Sequence, residues 1–284
     1  MQHKNLPLSD APLSSSLTLG AVSLDVSDLQ AMKKFYHEII GLTVMQESSS
    51  EATLGSSEKP VLLLRQSDLP PANPQSAGLY HMAIVFSSQS GLAQAAERVL
   101  RQTTLFAGSA DHLVSEAFYL QDPEGNGIEL CYDRDPSAWI WENGAVKMDA
   151  LPLSPLEYIR RHLQPGKKGS MRMGHVHLKV GDIDMARAFY VDTVGFNLVS
   201  AMPSALFVSV GGYHHHLGMN VWESRGAGVR AKTLGLWNIE MSLANRQDVD
   251  ALQQRLTAAG IAAMKTEGTL LLTDPWGNRL LVRA

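Results

Sequence analysis

Short apolar runs, several of them alternating with polar positions, recur along the chain between segments with helical spacing. VSLDV at 22–26 and LFVSV at 206–210 alternate in the way that is typical of half-buried β-strands. LAQAAERVLRQ at 92–102 is predicted to be a helix. Because the strands come in groups between well-spaced helices, and no GxGxxG turn opens a helix, the pattern favours an α+β protein over a parallel doubly wound sheet.

The same pattern occurs twice. GAVSLDV at 20–26 matches GHVHLKV at 174–180, and each is followed by an acidic turn and a helix that contains a Phe-Tyr pair. Each helix is predicted to end at a glycine, Gly41 or Gly195, because glycine is the residue that most often terminates helices. A short apolar strand is predicted after each glycine.

The second part of each copy matches as well. GLYHMAIVF at 78–86 parallels GLWNIEMSL at 235–243, and both lead into a helix. DPEGNGIEL at 122–130 parallels DPWGNRLLV at 274–282, and the Pro and Gly-Asn in each favour a tight turn between the last two strands. The sequence therefore predicts four modules, each of the order strand, helix, strands, with two modules in each copy.

A segment of different character separates the copies. Pro, Gly, Trp and charged residues occur there without one sustained period. We predict two tandem domains, 17–133 and 171–284, joined by a connector at 134–170. The connector contains Trp139 and Trp141, and this aromatic content indicates that it packs on the domains and is not a loose tether.

Composition limits the classes of function. The chain has 284 residues, with 24 Lys and Arg against 28 Asp and Glu and a net charge of −4, so nucleic acid is not expected as a partner. Cys131 is the single cysteine, which excludes a disulfide framework. Neither a signal-peptide pattern nor an apolar run of about 20 residues occurs, so we expect a cytoplasmic protein that does not associate with membranes.

The four βαβββ modules, the Phe-Tyr helices and the DPxGN turns resemble the vicinal oxygen chelate superfamily, which includes glyoxalase I, extradiol dioxygenases, and fosfomycin and bleomycin resistance proteins. The resemblance covers residues 17–284. GGYHHHLGMNVWES at 211–224 and SEAFYLQDPEGNGIELCYDR at 115–134 are similar to two-domain bacterial catechol 2,3-dioxygenase-like proteins. The resemblance implies two tandem domains whose curved mixed sheets surround a divalent metal.

In that superfamily the metal ligands lie at equivalent strand positions of two paired modules. The first copy has ligand types at His81 and Glu129, and the second copy has them at His175 and His216. The equivalent positions that cannot bind a metal hold Ala21, Asn238 and Leu281. We therefore expect the second module to pair with the third around one metal, and the first to pair with the fourth around a pocket without a metal.

The histidine run leaves an alternative open. His214 and His216 would lie on one face of a strand, and the choice of His216 as the ligand depends on the register of that strand. Three further residues are predicted to line the pocket together with His214, and these are His177, Asn220 and Trp222. The resemblance also leaves open whether the modules pair within one chain or between the chains of a homo-oligomer.

Two residues upstream of Glu129 occupy positions similar to those of a His and a Tyr in extradiol dioxygenases. By that resemblance, His112 is the candidate general acid–base and Tyr119 the candidate hydrogen-bond donor to a substrate oxygen.

The expected function is a metal-dependent extradiol dioxygenase that cleaves a catechol-type aromatic substrate with O₂. Fe(II) is the first choice of metal, and Mn(II), Ni(II) and Zn(II) are alternatives. Two other functions stay open at this point. Four protein ligands would favour a glyoxalase I-type isomerase or lyase, and the lost ligands of the other pocket would favour a non-catalytic small-molecule binding protein.

Overall fold

The computed structural model describes residues 12–57, 59–142, 145–166 and 169–284. Within them the predicted α+β architecture of four modules is confirmed, with one strand, one helix and three strands in each. The first module consists of β1 (Thr18–Val26), α1 (Leu29–Phe35), β2 (Thr43–Glu47), β3 (Glu51–Ser56) and β4 (Lys59–Gln66). The second consists of β5 (Gly78–Phe86), α2 (Gln89–Gln102), β6 (Phe106–Asp111), β7 (Ser115–Gln121) and β8 (Gly127–Asp133).

The connector and the second half follow in chain order. The connector contains β9 (Trp141–Glu142), β10 (Ala145–Val146), β11 (Leu151–Pro152) and α3 (Pro155–His162). The third module consists of β12 (Met171–Lys179), α4 (Ile183–Arg187), β13 (Asn197–Met202), β14 (Ala205–Ser209) and β15 (Leu217–Asn220). The fourth consists of β16 (Gly235–Ser242), α5 (Arg246–Ala258), β17 (Ala263–Thr266), β18 (Thr269–Thr273) and β19 (Arg279–Arg283).

The two Phe-Tyr helices begin and end in the same way. The carboxylates of Asp28 and Asp182 each accept a hydrogen bond from a backbone N–H in the first turn of α1 or α4. Both helices continue into a π-helical turn and end at a glycine with φ of 97°, Gly41 in one and Gly195 in the other. The predicted terminators are confirmed, and the left-handed backbone explains why glycine occupies both positions.

The tyrosines of these helices bind the DPxGN turns. The Tyr36 hydroxyl donates to Oδ2 of Asp122 over 2.7 Å, and the Tyr190 hydroxyl donates to Oδ2 of Asp274 over 2.9 Å. All four side chains are buried. Burial raises the pKa of Asp122 to about 6, even though hydrogen bonds from Tyr36 and its own turn act in the opposite direction. The helix and the turn of a copy are therefore joined by one buried contact between its two modules.

Each large sheet combines one module from each half of the chain. The nine-stranded sheet has the order β11-β6-β7-β8-β5-β12-β15-β14-β13, and its centre is the antiparallel pair of β5 and β12. The eight-stranded sheet has the order β17-β18-β19-β16-β1-β4-β3-β2 around the antiparallel pair of β1 and β16. The predicted pairing of the second module with the third is confirmed, and it forms within a single chain.

The division into two sequence domains stays a prediction, because both sheets draw on both halves. One apolar cluster includes buried residues from the two central strand pairs, for example Leu24, Met82, Val176 and Ile239. No helix among the described residues is long and apolar enough to cross a membrane.

The connector packs on the nine-stranded sheet. Strand β11 pairs with β6, and Trp139 is buried against Val114. The ring of Tyr158 in α3 packs against Phe118 of β7, with 5.2 Å between the ring centroids. Trp141 is 51% exposed. The prediction of a packed connector therefore holds at Trp139 and is wrong for Trp141, whose short strand β9 pairs with β10 in a separate two-stranded sheet.

Candidate metal centre and pocket

Three neighbouring strands bring three ligand-type side chains to one face of the nine-stranded sheet. Ala83 of β5 lies opposite Glu129 of β8 on one side and opposite His175 of β12 on the other. His81 is two residues before Ala83, so its side chain points to the same face. The intervening Met82 points to the apolar core. The alternation of the strands therefore places two histidines and one glutamate around a single point, and these three residues, His81, Glu129 and His175, are called the triad.

The three donor atoms form a small triangle. Nε2 of His81 and Nε2 of His175 are 3.4 Å apart, and each is 3.2 Å from Oε2 of Glu129. All three residues are buried. With metal–ligand bonds of about 2.1 Å, adjacent ligands at right angles lie about 3 Å apart. The triangle therefore fits a divalent metal, and two histidines with one carboxylate are the facial set typical of non-heme Fe(II).

The protonation of these residues also suits metal binding. Burial alone would raise the pKa of Glu129, but the contacts with His175 and His81 outweigh it and hold that pKa well below its ordinary value. Burial lowers the pKa of His175. An ionised carboxylate beside a neutral imidazole is the form in which both side chains bind metals.

The prediction that His216 is the fourth ligand is wrong. Its Nδ1 lies 2.8 Å from the Ser209 hydroxyl, and its ring packs beside Tyr213. It belongs to neither of the two groups of ligand-type side chains that converge among the described residues. The reason is that residues 214–216 precede β15 and are not themselves a strand, so the alternation of a strand does not apply to them.

The other two histidines of the run lie beside His175. One ring nitrogen from each of His175, His214 and His215 lies within 4.8 Å of the others. His214 is buried and its Nε2 is 3.2 Å from the Asp133 carboxylate, so it does not line the pocket as predicted. His215 does line it, with its ring centroid 4.1 Å from that of His175. His215 is a functional candidate that the strand-based register missed.

A cavity of about 1170 Å³ opens onto the triad. Its wall beside His81 is aromatic, because Tyr80, His177 and Trp222 are in mutual contact with ring centroids 5.1 to 5.4 Å apart. His177 and Trp222 both line this cavity, and their part in binding a ligand stays a prediction. Asn220 does not line the cavity, because it is fully buried and its amide lies 3.1 Å from Nε2 of His177.

His112 and Tyr119 both line this cavity and contact each other. Nδ1 of His112 is 2.6 Å from the carbonyl oxygen of Asp149, and Nε2 is 2.5 Å from the Tyr119 hydroxyl. A carbonyl oxygen only accepts, so Nδ1 carries the hydrogen and Nε2 accepts from the tyrosine. Burial raises the pKa of Tyr119, so the phenol keeps its proton. Tyr119 lies opposite Glu129 in the β7–β8 pair, which places the two-residue unit beside the triad.

The corresponding face of the eight-stranded sheet carries different side chains. Both converging groups of ligand-type side chains in the described part of the chain lie on the nine-stranded sheet. Near Asn238, the indole of Trp237 lies between two guanidinium groups, 4.2 Å from Arg65 and 3.8 Å from Arg279. A cation–aromatic stack therefore occupies the face where the other sheet carries its triad.

Comparisons with known proteins agree with this architecture. Residues 18–130 and 172–282 both match the family model of the Glyoxalase/Bleomycin resistance protein/Dioxygenase superfamily. A catechol-2,3-dioxygenase of Bacillus subtilis (strain 168) is 34% identical over 272 residues, which are 90% of this chain and 93% of that protein. A biphenyl-2,3-diol 1,2-dioxygenase 2 of Rhodococcus globerulus is 29% identical over 115 residues, covering 39% of this chain and 60% of the relative.

Two solved structures share the fold. A putative dioxygenase from Bacillus subtilis superposes with a TM-score of 0.67 at 11% identity, over 96% of this chain and 86% of that one. Glyoxalase I from Zea mays superposes with a TM-score of 0.59 at 15% identity, over 94% and 92%. The module repeat, the pairing of the sheets and the two family matches together show that the chain belongs to the glyoxalase/bleomycin resistance protein/dioxygenase superfamily.

Proposed function

We propose that this protein is a metal-dependent extradiol dioxygenase that opens the ring of a catechol-type substrate with O₂. The observation that carries the proposal is the triangle of His81, Glu129 and His175 at the base of an aromatic-walled cavity. The relative named catechol-2,3-dioxygenase supports the same reaction class.

The three residues of the triangle would hold the metal, with Fe(II) the first choice because two histidines and one carboxylate are its usual set in oxygenases. A divalent metal bound there would supply Lewis acidity toward a vicinal diol and a redox partner for O₂. Three protein ligands would leave coordination positions open for a substrate that binds through two adjacent oxygens. His216 would not occupy one of these positions, because it contacts Ser209 instead.

Proton transfer is assigned to the unit of Tyr119 and His112. The Tyr119 hydroxyl lies beside the triad, because Tyr119 is opposite Glu129 in the β7–β8 pair. Since its hydrogen points to Nε2 of His112, its oxygen accepts a hydrogen bond from a substrate hydroxyl. When that substrate hydroxyl gives up its proton, the proton passes to Tyr119 as the tyrosine gives its own to Nε2 of His112. The resulting imidazolium is held by the Asp149 carbonyl at Nδ1. The Asp111 carboxylate lies close enough to favour that charge.

His215 is a second proton acceptor on the opposite side of the triad. In the sheet order, Tyr119 belongs to β7 and His215 directly precedes β15, so the two flank the strands that carry the triangle. Burial lowers the pKa of His215 well below its ordinary value, which keeps the imidazole neutral before the substrate binds. Two acceptors suit a diol, because each hydroxyl has one on its own side.

The aromatic wall would bind the ring of the substrate. Tyr80 and Trp222 present ring faces and edges to the cavity beside His81, and an aromatic substrate gains both area burial and edge contacts there.

The glyoxalase-type alternative loses its main argument. It rested on a fourth protein ligand, and His216 lies outside the triangle. The test is to purify the protein anaerobically, measure its metal content, and assay catechol under O₂ and a hemithioacetal on the same sample. We expect one metal per chain, a yellow ring-fission product and one O₂ consumed per catechol. Fully metallated protein that isomerises the hemithioacetal and leaves catechol unchanged would refute the proposal.

A further inference from the structure

The cavity extends away from the triad along β12. His175, His177 and Lys179 alternate along this strand, so their side chains share one face, and all three line the cavity. His177 lies opposite His81, and Lys179 lies opposite Gly78. At about 3.3 Å per residue, Lys179 is about 13 Å along the strand from His175. The cavity therefore has a metal-binding end and a second end marked by a lysine.

A second cation reaches the same end from another element. Arg230, in the loop between β15 and β16, lines the cavity, and its guanidinium lies beside Gly78. Nη1 of Arg230 donates to the Leu236 carbonyl over 2.9 Å and lies 3.5 Å from Oδ1 of Asn278. No described carboxylate forms an ion pair with this guanidinium within 4.0 Å, and the acids that act on it, Asp274 and Asp25, do so from further away.

The arginines near Asp25 differ in their partners. The guanidinium groups of Arg65, Arg230 and Arg279 all act on the buried carboxylate of Asp25, and the buried Asp274 also acts on Arg230. A partly buried cation without an ion-pair partner is costly, and a bound anion removes that cost. The other arginines already have partners, since Arg65 contacts Asp25 over 3.7 Å and both Arg65 and Arg279 stack on the indole of Trp237. Arg230 is therefore the guanidinium with donors to spare at the cavity.

The acids that line this end of the cavity do not pair with Arg230. Glu124 lines the cavity, but its carboxylate is directed to the backbone N–H groups of Ser27 and Asp28 and not to the guanidinium. Glu223 is more than half exposed and lies 3.7 Å from Lys179, which also donates to the Pro74 carbonyl over 2.6 Å. Lys179 is thus partly neutralised, and the cationic character of this end comes mainly from Arg230.

Building on the proposed function, we infer that the substrate is a catechol bearing an anionic substituent, a carboxylate on a short side chain, and that Arg230 binds the carboxylate. The diol lies at the triad, the ring lies along the wall of Tyr80 and Trp222, and the side chain points toward Gly78. Lys179 lies beside the carboxylate and adds a weaker attraction. Arg230 thereby determines specificity without touching the reacting atoms.

The test is anaerobic calorimetric titration of the Fe(II)-loaded protein with 3,4-dihydroxyphenylpropionate and, separately, with its methyl ester. The two probes differ in charge and share the ring and diol. A charge-assisted hydrogen bond predicts that the acid binds at least about tenfold more tightly than the ester. Arg230→Met should bring the two dissociation constants to within about threefold of each other, because the charge is gone. Arg225→Met, in the same loop but exposed, should keep the wild-type preference.

Arg230→Lys covers the case in which the methionine variant fails to fold, since it keeps the charge and should retain a preference smaller than that of the wild type. Equal binding of acid and ester by the wild type, or an unchanged preference in a folded Arg230→Met variant, would overturn the inference. If catechol is cleaved while acid and ester bind equally, only this inference fails. If the acid is preferred while no catechol is cleaved under O₂, the carboxylate site stands and the proposed reaction fails.

Discussion

His81 and His175 are 94 residues apart in the sequence, yet their Nε2 atoms lie 3.4 Å apart. The contact exists because β5 and β12 are neighbours at the centre of one sheet. Neither half of the chain carries three ligand-type residues at the equivalent strand positions, and the triangle with Glu129 is complete only when the second module pairs with the third.

The first prediction concerns metal affinity. Glu129→Ala and His175→Ala should each weaken metal binding by more than about 100-fold, because losing a residue that only orients a ligand already costs about 10- to 100-fold. The measurement is the metal retained after dialysis against a chelator. Asn238→Ala and Leu281→Ala, at the equivalent positions of the other sheet, are the matched controls and should retain the metal. Equal metal loss from the Asn238 change would show that the eight-stranded sheet binds metal.

A second prediction separates the histidines of the run. His216→Ala should retain the metal, because His216 belongs to neither converging group of ligand-type side chains among the described residues. It should lower the free energy of unfolding by about 1 to 3 kcal/mol, since a buried hydrogen bond is lost and the Ser209 hydroxyl is left without it. Metal content and urea denaturation on one preparation decide both points. A metal-free His216→Ala protein with normal stability would return His216 to the ligand set.

The third prediction concerns the proton-transfer unit. Tyr119→Phe removes the hydroxyl that contacts His112 and leaves the triangle in place. We expect unchanged metal content and a fall of about 10²- to 10⁴-fold in kcat, the range for loss of a general acid–base group. Steady-state O₂ consumption with catechol measures it. Tyr132→Phe, at a partly exposed tyrosine outside the cavity lining, is the control. A kcat within a few-fold of wild type would remove Tyr119 from the mechanism.

A fourth prediction concerns acid stability. Arg134 binds Asp111 through two hydrogen bonds of 2.6 and 2.8 Å. These hydrogen bonds are the main reason why the pKa of Asp111 lies below its usual 3.8. Because the pKa of Asp111 is lower in the folded state than in the unfolded state, the ionised carboxylate stabilises the fold fully at pH values above 3.8. This stabilisation is lost as the pH falls through the lowered pKa. The pair also fixes the start of the loop that carries His112.

Arg134→Gln should therefore destabilise the protein by about 2 kcal/mol near neutral pH and by less in strong acid, where Asp111 is protonated with or without the arginine. Urea denaturation at several pH values gives the difference between variant and wild type. Arg160→Gln, on the exposed surface of α3, should show no such difference. A gap between variant and wild type that does not narrow toward low pH would contradict the assignment.

Much of this architecture follows from the sequence because its signals are local and repeated. The GAVSLDV and GHVHLKV strands, the glycines at 41 and 195 and the complementary loss of ligands predict the modules and their pairing. The roles of the three histidines at 214–216 could not be predicted from the sequence. Residues 214–216 lie just outside β15, and their directions depend on packing against Ser209, Asp133 and His175.

Arg230 gave no sequence signal either. It lies in a loop without a motif, and its place beside Gly78 depends on how the loop between β15 and β16 folds over a strand from the other half of the chain. Similarly, Asn220 was expected in the cavity wall because it alternates with its neighbours. The structure instead places its amide against Nε2 of His177, where it fixes the orientation of that ring.

The exchange of modules between the sheets also sets the order in which a newly made chain can acquire its metal site. When the ribosome has released only the first half, β1 and β5 are the inner strands of two half-sheets, and each has an unpaired edge. Both edges are completed only by strands that begin at least 85 residues further along the chain, β12 for β5 and β16 for β1. Until those strands are made, the metal site lacks His175 and both edges expose unpaired backbone groups, the feature that makes incompletely folded chains prone to aggregate.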